Sequence, residues 1–212
     1  MFHDRTAAGR QLAKVLAALK LTPPMVVLGL PRGGVPVASE VARALHVPLD
    51  VMVVRKIGMP GQPELAIGAI ASGGIVVRDR DVAGVVDDAV FEDLLACERR
   101  ELARRERAYR GDKGTVQLRG KTVVLVDDGL ATGATMTAAV RAVRKVGALS
   151  IVVAAPVASA EAVERLEAEV DRLVILETPP LLYSIGEWYQ RFDQLEDQDV
   201  KEVLSHAESM AS

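Results

Sequence analysis

The stretch Val-Val-Leu-Val-Asp-Asp-Gly-Leu-Ala-Thr-Gly-Ala-Thr-Met, Val123–Met136, decides the reading of this chain. Its first four residues are apolar without polar alternation, the pattern of a strand covered on both faces in the middle of a parallel sheet. Asp127 and Asp128 follow at the carboxyl end of that strand, the edge at which open α/β sheets bind ligands. Gly129–Thr135 are small or hydroxylated, and residues 137–146 have the periodicity of a helix. Backbone N–H groups, the hydroxyls of Thr132 and Thr135 and the positive end of the helix dipole would then converge on an anion the size of a phosphate. Two carboxylates beside such a site repel a bare phosphate. The ligand should therefore carry a second group that carboxylates favour, such as paired sugar hydroxyls or a metal ion, and a 5-phosphorylated ribose meets both demands.

Outward from this segment, helical and strand patterns alternate as in a βαβ architecture. Residues 5–19 place Leu12, Val15, Leu16 and Leu19 on one helical face. Met25–Leu30 reads as a buried strand, 37–45 as a helix, 51–54 as a second strand and 90–110 as a long helix. After the central strand come a strand at 151–155, a helix at 160–168 and a strand at 173–176. Between Arg55 and Val86 the pattern is irregular: Gly58, Pro60, Gly61 and Pro63 interrupt it, and 68–72 and 75–78 flank Gly73-Gly74 like a hairpin. A long insertion of this composition reads as a flexible lid. The expected fold is α/β: one domain over residues 1–212, with an open, mainly parallel twisted sheet flanked by helices. A lid at 55–86 and a tail or hood at 179–212 complete it.

Two more segments carry chemical groups. In the turn Leu30-Pro31-Arg32-Gly33-Gly34, the glycines suggest unusual backbone conformations that let main-chain N–H groups approach a ligand, and Arg32 adds charge-assisted hydrogen bonds. The segment Arg55-Lys56-Ile57-Gly58-Met59-Pro60-Gly61 is basic and leads into Pro63-Glu64-Leu65-Ala66-Ile67-Gly68. Neither Gly-x-x-x-x-Gly-Lys-Ser/Thr nor Gly-x-Gly-x-x-Gly occurs at the glycine turn.

The 123–137 segment resembles the phosphoribosyl diphosphate (PRPP) signature of the type I phosphoribosyltransferases: an apolar strand, two acids, a spacer and Thr132-Gly133-x-Thr135. The turn at Arg32-Gly33-Gly34 resembles their pyrophosphate loop. The 55–61 segment is similar to the stretch before the flexible loop of adenine phosphoribosyltransferases, one residue shorter in spacing. The resemblance covers about Met25 to Leu176. It implies transfer of ribosyl 5-phosphate from PRPP to a nitrogenous base with loss of pyrophosphate, assisted by Mg²⁺, as in nucleotide metabolism and salvage. In its terms Gly129, Leu130, Ala131, Thr132, Gly133, Ala134 and Thr135 take the 5-phosphate. Arg32, Gly33, Gly34, Arg55 and Lys56 face the diphosphate. Asp127 and Asp128 hold the ribose hydroxyls and touch Mg²⁺ at most indirectly.

The acceptor stays open. Hypoxanthine-guanine enzymes carry a further Asp where this chain has Ala131, the Asp-Asp-x-Leu-Ala-Thr-Gly run resembles the adenine-specific version, and Arg32-Gly33-Gly34 looks more like xanthine-guanine enzymes. Glu64, ahead of Gly68, resembles the loop Glu of adenine enzymes and is the acid/base candidate. Tyr183, Trp188, Tyr189 and Phe192 are candidates for stacking on the base, four of only seven aromatic residues. A sensor of PRPP or nucleotide without turnover is the alternative. A phosphatase using Asp127 would want Asp-x-Asp there, where the sequence offers Asp127-Asp128.

Composition narrows the partners. Net charge is −3, so no basic groove for nucleic acid is expected, and Glu98, Glu101 and Glu106 interleave with the arginines of 99–110 as on a salt-bridged helix face. The chain opens without a signal peptide and has no apolar run near the ~20 residues of a membrane span, so a cytoplasmic protein without membrane partners is expected, with a homodimer left open. Cys97, the single cysteine, reads as core filler on the apolar side of its helix.

Overall fold

The computed structural model describes residues 1–78, 86–111 and 113–211; the side chains of residues 63, 64, 208, 210 and 211 are outside that description. Five strands form a parallel sheet: β1 (Met25–Gly29), β2 (Leu49–Val51), β6 (Thr122–Val126), β7 (Ser150–Val157) and β8 (Arg172–Glu177), in the order β2-β1-β6-β7-β8. The order reverses between β1 and β6. At such a switch point the loops leaving the two strands diverge and open a crevice.

The apolar runs that lack alternation are explained by the two layers they serve. Val26, Leu28, Val123, Leu125, Ile151 and Val153 join one core, which includes Met136, Ala139, Val140 and Val143 of α4 (Ala134–Val146) and Ala162 and Leu166 of α5 (Ala160–Glu167). Val27, Val124, Val126, Val152 and Ala154, from the opposite pleat, join Leu12 and Leu16 of α1 (Arg5–Ala18) and Val37, Ala38 and Val41 of α2 (Gly34–Leu45). Each central strand is thus apolar on both faces because each face has its own helices.

The insertion is a second sheet. Strands β3 (Val54–Met59), β4 (Gln62–Ala71) and β5 (Ile75–Arg78) are antiparallel, with β3–β4 turning at Pro60-Gly61 and β4–β5 at Gly73-Gly74. The glycine and proline signals at 58–63 suggest breaks in the sequence. In the structure they mark a hairpin whose register shifts on both sides of Gly58 absorb the irregularity. Ile57, Ile67 and Ile70 pack with Phe91, Leu95 and Leu102 of α3 (Asp88–Arg110), and with Val200 and Leu204 of α6 (Asp197–Ala211). The base of the insertion is therefore core, while Pro60, Gly61, Gln62 and Leu65 at its tip are exposed. Residues 79–85 of the expected lid lie outside the described residues.

One expectation is overturned on α3. Cys97 is exposed, because the buried stripe runs through Phe91, Leu95, Leu102 and Tyr109. Two positions beyond Leu95, at about 100° per residue, turns the side chain to the far face. Among the described residues no helix is long and apolar enough to cross a membrane.

Candidate active site

Both glycine-bearing motifs leave the parallel sheet at the switch point. The turn 30–33 follows β1, and the loop 127–133 follows β6. They meet through the absence of side chains. A Cβ on Gly33 would run into the Asp128 carboxylate, and one on Gly34 would lie 2.6 Å from the Val126 carbonyl oxygen and 2.8 Å from Asp127 Cα. Gly33 has φ −63° and ψ −33°, an ordinary right-handed conformation, so the expected reason for a glycine here is corrected: space, not backbone freedom. The Pro31–Arg32 peptide is cis, a feature without a signal in the sequence.

The signature loop is held from behind. Leu130 is buried and its N–H donates to the Val157 carbonyl at 2.9 Å, while the Ser159 N–H donates to the Leu130 carbonyl at 2.9 Å. The Ser159 hydroxyl, which also caps α5, donates to the Ala131 carbonyl at 2.5 Å. Gly133 takes φ +70° and starts α4 without any side-chain cap, a conformation that a residue with a Cβ adopts only with strain. The first N–H groups of a 13-residue helix are thus left for a ligand. The Ala134 N–H has only a long 3.4 Å contact to the Thr132 hydroxyl. Thr132 and Thr135 are both exposed beside it.

The two carboxylates differ. Asp127 accepts the Asp128 backbone N–H at 2.9 Å, and its pKa is pushed well above the ordinary carboxylate range, first by burial and then by the charge of Asp128. Asp128 is buried and its Oδ2 accepts Arg5 Nε–H at 2.8 Å, with both side chains 12% exposed. Arg5 also donates from Nη1 to the Asp193 carbonyl at 2.9 Å, and its guanidinium lies 3.8 Å from the centroid of the Phe192 ring.

Arg5 is the functional candidate that sequence reasoning missed, although a signal was present. It is the first residue of α1, where a cation opposes the helix dipole. Its placement is over-determined. Asp4 caps α1 by accepting the Ala7 N–H at 2.8 Å, and buried Phe2 exchanges backbone hydrogen bonds with Trp188 and Gln190 at 2.7 and 2.9 Å.

The aromatic candidates separate into different roles. Tyr189 is buried against Phe2, stacks on Phe192 at 5.0 Å, and donates its hydroxyl to the Asp128 carbonyl at 2.6 Å. Burial pushes its phenol pKa upward. Trp188 packs on the same cluster, whereas Tyr183 is 82% exposed. Ile185 fills the space over Gly129, where a Cβ would clash with it. The tail thus lies over the end of β6.

The basic candidates divide likewise. Arg32 is 44% exposed in its side chain and stands 3.7 Å from Asp197, which also accepts the Tyr109 hydroxyl at 2.9 Å. Arg55 pairs with Glu98 of α3 at 2.7 Å, and Lys56 is exposed. The structure therefore joins Arg32 to the tail and Arg55 to the long helix. Glu64 lies in β4, and its side chain is outside the described residues. No group of three or more His, Cys, Asp or Glu among the described residues forms a ready metal cage. A cleft of about 320 Å³ lies between Arg5, Arg32, Gly33 and the segment 192–195.

The parallel sheet thus sets an uncapped helix N-terminus, paired carboxylates and an arginine-glycine turn at one switch point. A family model for the phosphoribosyl transferase domain matches residues 2–180, and the chain belongs to that family. It is 46% identical to TT1426 from Thermus thermophilus, whose crystal structure superposes with a TM-score of 0.90 over 97% of this chain and 98% of that one. A Mycobacterium tuberculosis protein, Rv0571c, provisionally named a phosphoribosyl transferase, is 47% identical over 211 residues, covering 98% of this chain and 47% of the relative. The ribose-phosphate pyrophosphokinase of a Marinomonas species is 32% identical over 152 residues, 68% of this chain and 46% of that enzyme. The chain spans about half the length of these curated relatives.

Proposed function

We propose that this chain transfers ribosyl 5-phosphate from PRPP to a nitrogenous base and releases pyrophosphate. The observation that carries this reading is the meeting, at one switch point, of an uncapped helix N-terminus, two adjacent carboxylates and an arginine-glycine turn. These are three kinds of group, matched to a phosphate, a diol and a diphosphate.

The 5-phosphate takes the open N–H groups of α4 and the hydroxyls of Thr132 and Thr135. Asp127 and Asp128 bind the ribose hydroxyls, and the Asp128 carboxylate beside them opposes the positive charge that develops on the ring as the bond to the diphosphate breaks. Arg32 and the backbone of Gly33 and Gly34 bind the leaving group. Mg²⁺, held by the diphosphate with at most indirect contact to Asp127 and Asp128, neutralises charge on the leaving oxygens when bound. The tail from 179 serves as hood. Within residues 55–86 the lid role falls to the exposed hairpin tip around Gly61, since the base of the insertion is core. Water kept out by closure cannot hydrolyse the donor. Glu64 is the acid/base candidate on that hairpin.

The test is pyrophosphate release from PRPP and Mg²⁺ across a panel of purine and pyrimidine bases, with PRPP affinity measured by calorimetry in parallel. Release that depends on one base and is lost in Asp128→Asn is the expected result. PRPP binding without release for any base favours a sensor, and no binding of PRPP overturns the reading.

A further inference from the structure

We infer that Arg5, from the N-terminal helix, is a second diphosphate-binding residue that faces Arg32 across the cleft and is held in readiness by Asp128. The inference deepens the proposed function and rests on it. It starts from an incomplete set of hydrogen bonds. A guanidinium has five N–H donors; Arg5 commits Nε to Asp128 and one Nη1 proton to the Asp193 carbonyl. Nη2 donates to no group among the described residues. It is not sealed off either, since no buried side-chain nitrogen or oxygen there lacks a partner, and Arg5 lines the cleft.

The surroundings select the ligand. The cleft presents two guanidinium groups and the backbone of Gly33 in about 320 Å³. Arg32 reaches its nearest acid, Asp197, only at 3.7 Å while remaining 44% exposed, so it is free to turn to an anion. Planar guanidinium forks bind phosphate oxygens bidentately, and a diphosphate has oxygens enough for both. Stacking on Phe192 and the bond to the Asp193 carbonyl fix the plane of Arg5 before any ligand arrives, which lowers the ordering cost of binding. Asp128 is thereby masked in the empty site. A diphosphate that draws Arg5 toward itself releases Oδ2 for a ribose hydroxyl, so leaving group and ribose are bound in concert.

The test uses the full chain, with inorganic pyrophosphate and ribose 5-phosphate as separate probes in calorimetry with Mg²⁺. Arg5→Gln is expected to weaken pyrophosphate by about 10-fold or more and to leave ribose 5-phosphate unchanged or tighter, because Asp128 is unmasked. Arg5→Lys, which keeps the charge and packing stem, should recover part of the pyrophosphate affinity, and its melting curve with that of Arg5→Gln checks folding. Unchanged pyrophosphate affinity in Arg5→Gln overturns the inference. So does a parallel loss of both ligands in a folded variant, which would make Arg5 a structural prop. Wild type that binds pyrophosphate through Arg5 yet transfers to no base sinks the enzyme reading alone; wild type that binds neither probe sinks both.

Discussion

Gly34 at the edge of the parallel sheet and Gly61 at the tip of the β3–β4 hairpin are the same residue under opposite constraints. A Cβ on Gly34 would press on the backbone of Val126 and Asp127, although its helical conformation suits any residue. Gly61 has φ +78° and nothing within 4 Å of where a Cβ would be. At the sheet edge the chain is compressed around two carboxylates and space is limiting. At the hairpin tip the chain is open, and only backbone conformation is at stake. The site is therefore tightly packed on the side proposed to hold PRPP and unconstrained by packing on the side proposed to close.

The sharpest way to break this contrast is to add one methyl group at the compressed edge. Gly34→Ala pushes against backbone that cannot swing away, so it should cost about 2–3 kcal/mol and lower the melting temperature by about 5–10 °C. In Gly33→Ala the carboxylate of Asp128 must leave its place. PRPP affinity should fall roughly 100-fold, equivalent to about 2.7 kcal/mol. A folded Gly33→Ala that binds PRPP like wild type would remove close packing from the account of the site.

Asp127 tests the same edge through charge. Its folded pKa is raised, so the folded chain holds a proton that the unfolded chain has released. Stability accordingly falls as pH rises from the ordinary carboxylate range through the raised value, and is recovered as pH falls back. Asp127→Asn keeps an oxygen for the Asp128 N–H and removes the buried charge. Toward alkaline pH it should melt higher by roughly 2–4 °C, about 1 kcal/mol, with a flatter pH profile, while PRPP affinity drops by about 10-fold or more. Thermal melts followed upward from the ordinary carboxylate value, and calorimetry, check the two halves. Lower stability together with lower affinity would mean that the carboxylate is structural.

How far the sequence was legible follows the same division. Four of the five parallel strands and the loop 127–135 were readable because local pattern and tertiary environment agree: a strand with helices on both faces is apolar throughout, and a phosphate-sized loop must be small. The second strand, expected at 51–54, is Leu49–Val51, and Val54 opens the antiparallel hairpin. The hairpin at 54–71 was missed, because Gly58, Pro60, Gly61 and Pro63 are breakers locally, while Ile57, Ile67 and Ile70 are recruited by α3 and α6 from far along the chain. Helix α6 went unread within the tail. The reason for Gly33 was misread because its neighbour in space, Asp128, is remote in sequence. Arg5 escaped for a similar reason: its partners Asp128 and Phe192 lie more than a hundred residues away, and only its unfavourable place at a helix start hinted at a task.

Tyr189 sharpens the contrast from the hood side. Its hydroxyl is the bond from the tail to the Asp128 carbonyl, so Tyr189→Phe leaves a buried acceptor unmatched while preserving the stack with Phe2 and Phe192. A loss of about 1–2 kcal/mol is expected, read in denaturant titration. PRPP affinity should change by less than about threefold, or under about 0.7 kcal/mol, because Tyr189 bonds the main chain of Asp128 and leaves its carboxylate untouched. A collapse of PRPP binding would instead show that the tail, not the N-terminal helix, positions Asp128.

The smallest effect on PRPP affinity belongs at the hairpin tip. Gly61→Ala meets no atom, so its cost is the left-handed backbone alone, about 1 kcal/mol, smaller than the packing penalty at Gly34. PRPP affinity should stay within about twofold, because none of the groups proposed to hold ribose, 5-phosphate or diphosphate comes from the tip. Turnover is the discriminating quantity. If the tip closes over the reacting atoms, a turn reshaped by the methyl group slows closure, and base-dependent pyrophosphate release falls several-fold while PRPP binding stands. Release and affinity that both remain at wild-type level would make the hairpin a bystander and confine the chemistry to the edge of the parallel sheet, the tail and Arg5.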